Sequence, residues 1–199
     1  MNRPIFLIIS ILLFVKFSYS QEYIKEILSF QEEMNRDFAD SVKSPLTKED
    51  RLQFKHLDFF TIDSTFRIEA KFTRTPFELP FPMKTTTLRA PMYVKYAEVV
   101  FTLKNVICKL NIYQNLDLIK KEGYQDYLFL PFTDESNGDE TYGGGRYIDL
   151  KISGKDSLLI DFNKAYNPYC AYNHKYSCPI PPSENNLQLE IKAGVKKFH

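Results

Sequence analysis

Apolar positions change period along this chain, and the change separates a helical start from a long extended remainder. Over residues 22–41, Ile24, Ile27, Leu28, Met34 and Phe38 recur at helical spacing while Glu26, Glu32, Glu33 and Arg36 fall elsewhere, which predicts an amphipathic helix laid on a sheet. Glu32 and Arg36 stand four apart and lend weak support to the exposed face. Thr47 and Asp50 then carry capping-box spacing, predicting a short second helix that ends near Phe54.

From Phe59 onward the period falls to two. Phe66, Ile68, Ala70 and Phe72 alternate with Arg67, Glu69 and Lys71, the pattern of a strand with one wet face. The alternation returns in Ala97, Val99, Phe101 and Leu103 and again in Val106, Cys108, Leu110 and Ile112, with Lys104-Asn105 as a tight connection between them. Further strands are predicted at Tyr127–Leu130, Tyr147–Ile152, Ser157–Asp161 and Leu187–Ile191. Many short strands without interleaved helices imply an α+β fold that is mainly β. N-terminal helices would pack on a curled or closed antiparallel sheet, barrel-like or sandwich.

The first twenty residues change the picture of the compartment. Arg3 precedes an apolar run from Ile5 to Val15, and Ser18 and Ser20 supply small residues ahead of Gln21. Eleven helical residues rise only about 16 Å, roughly half of a hydrocarbon core. A cleaved signal peptide over residues 1–20 fits this better than an uncleaved signal anchor. The expectation is a single globular domain over residues 21–199, exported to a periplasmic or secreted location without a stable membrane span.

The chain has 26 Lys and Arg against 25 Asp and Glu, and the leader holds only Arg3 and Lys16 of these. A mature chain so near neutrality, with no basic stripe, lacks the phosphate-neutralising surface of a nucleic-acid protein. Its seventeen phenylalanines fall mostly at strand or helix periods and read as core, and tryptophan is absent.

Candidate chemistry gathers between Gly138 and Pro182. Four of the seven glycines lie in Gly138–Gly145, and Gly143-Gly144-Gly145-Arg146 offers amides and a guanidinium that could cradle an anion. A strand rather than a helix follows, so the common nucleotide motifs do not fit; a bend entering that strand is the plainer reading, with Arg146 a partner for Asp134, Glu140 or Asp161. Asp161 and Asn163 share one side of an extended segment and could address a ligand or bond nearby loop amides. Tyr166, Asn167, Tyr169, Tyr172 and Tyr176 add amphipathic rings and an amide.

Cys170, His174 and Cys178 are spaced by four, as weak candidates for a metal set. Export favours a Cys170–Cys178 disulfide, with packed thiols as the alternative, while Cys108 reads as a buried small hydrophobe. Histidine is scarce and no nucleophile elbow or His-Glu-x-x-His pair occurs. Acid and base work would fall to carboxylates, with Asp134, Glu140, Asp149 and Asp161 available. No cofactor is expected.

Pro131-Phe132-Thr133-Asp134, Glu140-Thr141-Tyr142-Gly143-Gly144-Gly145-Arg146-Tyr147, the run from Asp161 to Tyr172, Cys178-Pro179 and Ala193-Gly194 carry a family pattern. The chain resembles the bacterial and archaeal Domain of Unknown Function 1684 family over roughly residues 45–195. The resemblance implies a fold rich in β structure and brings no established activity. This chain has Val195 where the family pattern continues with an acid, and His174 lies outside the pattern.

The preferred expectation is a non-catalytic binding protein whose pocket, lined by Tyr142, Gly144, Gly145, Arg146, Asp161, Asn163, Tyr166 and Asn167, takes a small polar or anionic ligand. A carboxylate-assisted hydrolase or isomerase, using Asp134 or Glu140 with Asp161, is the second reading. A purely structural loop network is the third.

Overall fold

The computed structural model describes the backbone of residues 4–199 and the side chains of residues 21–199. Side chains of the expected signal peptide therefore lie outside the described residues. One long helix, α1 (Pro4–Ala39), is followed by the short α2 (Lys48–Gln53). Thr47 caps α2 as the spacing predicts: its hydroxyl accepts from the Asp50 amide at 3.1 Å and donates to the Asp50 carboxylate at 2.7 Å. Among the described residues no helix is long and apolar enough to cross a membrane.

The stripe that α1 buries is displaced from the expected one. Tyr23, Ile27 and Phe38 are buried and Phe30 and Met34 half-buried, whereas Ile24 and Leu28 stay exposed. Large aromatics at Tyr23, Phe30 and Phe38 set the docking face, and burying Ile27 completely contributes about 1.5 to 3 kcal/mol.

Eight strands follow: β1 (Arg67–Arg74), β2 (Phe81–Pro82), β3 (Met92–Leu103), β4 (Val106–Asn115), β5 (Tyr127–Asp134), β6 (Arg146–Lys151), β7 (Ser157–Asp161) and β8 (Asn186–Leu187). Their order is β6-β5-β4-β3-β1-β7, with β2 pairing β3 and β8 pairing β5. All pairings are antiparallel except the brief β5–β8 contact. Lys104 and Asn105 both have positive φ, 50° and 65°, which is the turn geometry that matches the twist of a two-residue hairpin.

The sheet curls into a half-barrel. Ala70, Val99, Leu110, Leu130, Ile148 and Ile160, drawn from six strands, meet on the enclosed face in one core that also takes in Phe66, Phe101, Phe132 and Phe162. The opposite face carries Tyr93, Tyr113, Phe129 and Tyr147 in a separate aromatic cluster. A bulge between Lys95 and Ala97 makes this possible, since it shifts the side-chain phase of β3 so that Tyr93 faces outward while Ala97 and Val99 face inward.

Of the strand expected at Leu187–Ile191, only Leu187 is paired. The alternation itself is real: Leu187, Leu189, Ile191 and Ala193 are buried and enter the main core. Beyond Leu189, whose carbonyl accepts from the Glu135 amide at 3.3 Å, the backbone of Ile191 bonds to side chains in place of a strand.

A tyrosine-lined cavity as candidate functional site

Arg146 supplies those bonds. It is fully buried, and its guanidinium donates to the carbonyls of Ile191 at 2.7 Å, Ala193 at 2.5 Å and Val195 at 3.4 Å, every second residue of the extended segment. Asp134 answers it at 2.9 Å, and the other Asp134 oxygen accepts from the Ile191 amide and from Ser136. Burial pulls the guanidinium below its ordinary pKa while Asp134 acts against that shift. Arg146 is thus a clamp that stands in for a strand partner. It is not a free anion receptor.

The glycines beside it serve the bend. Gly145 has φ of 86°, and a Cβ there would lie 2.5 Å from the Phe132 carbonyl oxygen. At Gly144 a Cβ would meet the Tyr142 ring. Both are fixed by the turn into β6, leaving the Tyr142 hydroxyl beside Cys170 Sγ at 3.9 Å, its pKa pushed up to about 12 by burial and by Cys170.

Asp161 and Asn163 form a second, separate network. Asp161 Oδ1 accepts from the Tyr23 hydroxyl of α1 at 3.1 Å, and Asn163 bonds Tyr23, the Asp63 carbonyl, the Asp63 amide and Asp161. Their work is to dock the helix and a loop. Of the three partners expected for Arg146, Asp134 is the one it pairs with, and neither Asp134 nor Glu140 shares a hydrogen bond with Asp161; Glu140 pairs with Lys192 at 3.2 Å.

Cys170 and Cys178 are buried free thiols lying side by side, not the expected disulfide. The Cys170 amide donates to Cys178 Sγ at 3.2 Å, and hydrogen bonding from the Cys178 thiol lowers the Cys170 pKa. His174 is exposed on the loop between them. Among the described residues no three His, Cys, Asp or Glu side chains are grouped to hold a metal.

What the block does build is one wall of a cavity. Tyr166 pairs its backbone with Tyr147 at 2.9 and 3.0 Å, adding the loop to the free edge of β6. This brings the Tyr166 hydroxyl to Asp149 Oδ1 at 2.6 Å, where the Tyr127 hydroxyl also donates at 2.7 Å. The resulting cavity, about 450 Å³, lies between the aromatic face of the sheet, the loop from Tyr166 to Pro179, and Phe30, Met34, Asp37 and Phe38 of α1. Tyr93, Phe129 and Tyr147 form its floor, with Phe129 and Tyr147 edge to face at 4.7 Å.

Asp149 is, with Asp37, one of the two carboxylates that line it. The side chain keeps access to the cavity, yet the surrounding protein strips enough solvent to raise its pKa, against the pull of the two tyrosine hydroxyls. The Tyr166 pKa is raised well above its ordinary value by burial and by Asp149. Asn167 also lines the cavity. Its Nδ2 donates to the Lys196 carbonyl at 2.9 Å, and its buried Oδ1 has no hydrogen-bond partner.

A larger cleft of about 920 Å³ opens between β6 and β7 and shares Tyr127 and Asp149 with the cavity. Its charges are largely spent on one another: Lys164 on Glu26 at 2.6 Å, Lys151 on Asp126 at 3.4 Å and Arg67 near Glu26 and Asp161.

The signature residues and the fold fix the kinship. The family model described as "Protein of unknown function (DUF1684)" matches residues 52–196. The chain belongs to this family. Among solved structures, the DUF1684 chain is similar to the solution NMR structure of the uncharacterized protein from gene locus rrnAC0354 of Haloarcula marismortui. That similarity has 30% identity and a TM-score of 0.70, and covers 90% of this chain and 96% of that one. A comparison with curated proteins finds no match. The departure at Val195 now has a place: the side chain is buried with Phe38, Leu46, Leu57 and Tyr172 where α1 and the C-terminus meet.

Of the expected site residues, Tyr166 and Asn167 line the cavity, while Arg146, Asp161 and Asn163 hold the scaffold. Sequence reasoning left Asp149 among several acids and passed over Tyr93, Tyr127, Phe129 and Asp37. The signal was present in β5, where Tyr127, Leu128, Phe129 and Leu130 are apolar on both faces, so something has to cover the outer one.

Proposed function

We propose that this DUF1684 protein is an exported, non-catalytic binding protein that holds a small polar ligand in the tyrosine-lined cavity, with Asp149 as its polar anchor. The observation that carries the reading is the carboxylate itself. Asp149 sits among aromatic rings with both tyrosine hydroxyls on one oxygen, which leaves Oδ2 free to meet a ligand. A concave, mostly apolar site of this size with few convergent polar groups is the usual form of a small-molecule site. The leader pattern from Arg3 to Ser20 supports export. The anionic option loses its support, because Arg146 is committed to Asp134 and three carbonyls.

Native mass spectrometry of the protein, purified without denaturation, tests this. A retained mass is expected in the parent and lost in Leu118→Trp, which fills the cavity from a half-buried lining position. Bare protein in both, with no member of a polar-fragment set shifting the melting temperature, would contradict the proposal.

A further inference from the structure

We infer that the ligand of this cavity is a small organic cation bearing N–H donors, a primary amine or a guanidine, held at Asp149 and Asn167. The inference deepens the binding reading and rests on it. Three features converge. First, the charged side chains lining the cavity are Asp37 and Asp149, and none of the described lining residues is basic. Asp37 pairs with Lys43 at 2.9 Å, whereas Asp149 has no basic partner among the described residues.

Second, two side-chain acceptors of the lining have no partner. Asp149 Oδ2 has no hydrogen bond while Oδ1 has two, and the buried Oδ1 of Asn167 has none. The orientation of the Asn167 amide is fixed, because its Nδ2 must face the Lys196 carbonyl. Both free groups are acceptors. Of the two, Oδ1 of Asn167 is the buried one, and a buried acceptor left unpaired costs about 1 to 3 kcal/mol, so a donor that reaches it recovers what the empty site gives up.

Third, the walls suit a cation. Tyr93, Phe129, Tyr147, Tyr166, Tyr169 and Tyr176 present rings around the cavity, and ring faces attract positive charge most strongly where water is excluded. An anion would face two carboxylates and ring faces of the same sign. A neutral sugar would satisfy the acceptors but gain nothing from the charge on Asp149.

Calorimetric titration of the full chain with four compounds of matched shape tests the inference: 2-phenylethylamine, 2-phenylethanol, 3-phenylpropanoate and the N,N,N-trimethyl derivative of the amine. The amine is expected to bind at least about tenfold more tightly than the alcohol, a difference near 1.4 kcal/mol. The trimethyl derivative, which keeps the charge without N–H groups, is expected to lose most of that gain. Asp149→Asn should remove the preference for the amine, bringing its affinity to that of the alcohol. A separate melting curve establishes that the variant folds.

Tightest binding by the propanoate, or equal binding by amine and alcohol, would overturn the cation inference while leaving the cavity a binding site. A trimethyl derivative as tight as the amine would remove the N–H requirement and with it the role of Asn167. Binding by none of the four would overturn the inference as stated, and the retained mass in native spectra would then decide the binding reading on its own.

Discussion

Asp149 shows at the scale of one residue how this fold spends stability on a polar group. Its folded pKa is raised by burial, so the proton is bound more tightly in the folded chain than in the unfolded one. The stabilising contribution of such a group is complete below the ordinary carboxylate pKa of about 3.9 and is lost as pH rises through the folded value. At neutral pH the ionised Asp149 therefore opposes folding. Asp149→Asn is expected to raise the melting temperature relative to the parent near pH 7.5, and the difference should shrink as the pH falls toward 4 and the carboxyl takes up its proton. Scanning calorimetry at the two pH values checks this; a difference that does not change with pH would show that Asp149 is ordinary. A residue that weakens the fold and is kept inside a cavity fits a ligand-binding role better than a scaffold role.

At the scale of elements, the clearest device is the clamp that holds the segment from Leu189 to Val195. An extended stretch needs partners for alternate carbonyls, and a single guanidinium meets Ile191, Ala193 and Val195 where a strand otherwise would. Asp134→Asn keeps the acceptor for Ser136 and leaves Arg146 buried without its counter-charge. Breaking one side of such a pair costs about 3 to 5 kcal/mol. The expected result in urea unfolding is a loss of that order, with faster amide exchange at Ile191; unchanged stability would mean that the carbonyls alone hold the arginine.

Much of this architecture could be read in advance. The period-two runs located β1, β3, β4, β6 and β7, and Lys104-Asn105 marked the hairpin, because those signals are local. The clamp was half legible. The alternation of Leu187, Leu189 and Ile191 said extended, but no local pattern says that the partner is an arginine more than forty residues away, at a separation of 45 for Ile191. The α1 stripe was misplaced because Tyr23 counts as polar in a simple periodicity yet packs its ring beneath Arg67, 4.7 Å from the guanidinium, and donates to Asp161. The polar block at Gly138–Pro182 supplies both scaffold and cavity lining. Its conspicuous charges turned out to be scaffold, and its tyrosines and Asn167 to be lining, since sequence alone cannot separate a buried clamp from an open site.

At the scale of the whole molecule, the half-barrel uses its two faces differently. The enclosed face holds the main hydrophobic core, which six strands and the clamped segment complete. The outer face, shifted into phase by the bulge at Lys95/Ala97, gathers aromatics that neither strand nor core needs, and α1 and the Tyr166–Pro179 loop roof them over without filling the space. The family tie accounts for the scaffold, and the cavity is where this scaffold offers chemistry. The most direct test of that claim is a two-dimensional amide NMR titration of the protein with 2-phenylethylamine. Saturable shifts clustered on Tyr127, Asp149, Tyr166 and Asn167, and absent in Asp149→Asn, are the predicted result; shifts confined to the Arg67 and Lys164 cleft, or scattered without saturation, would contradict it.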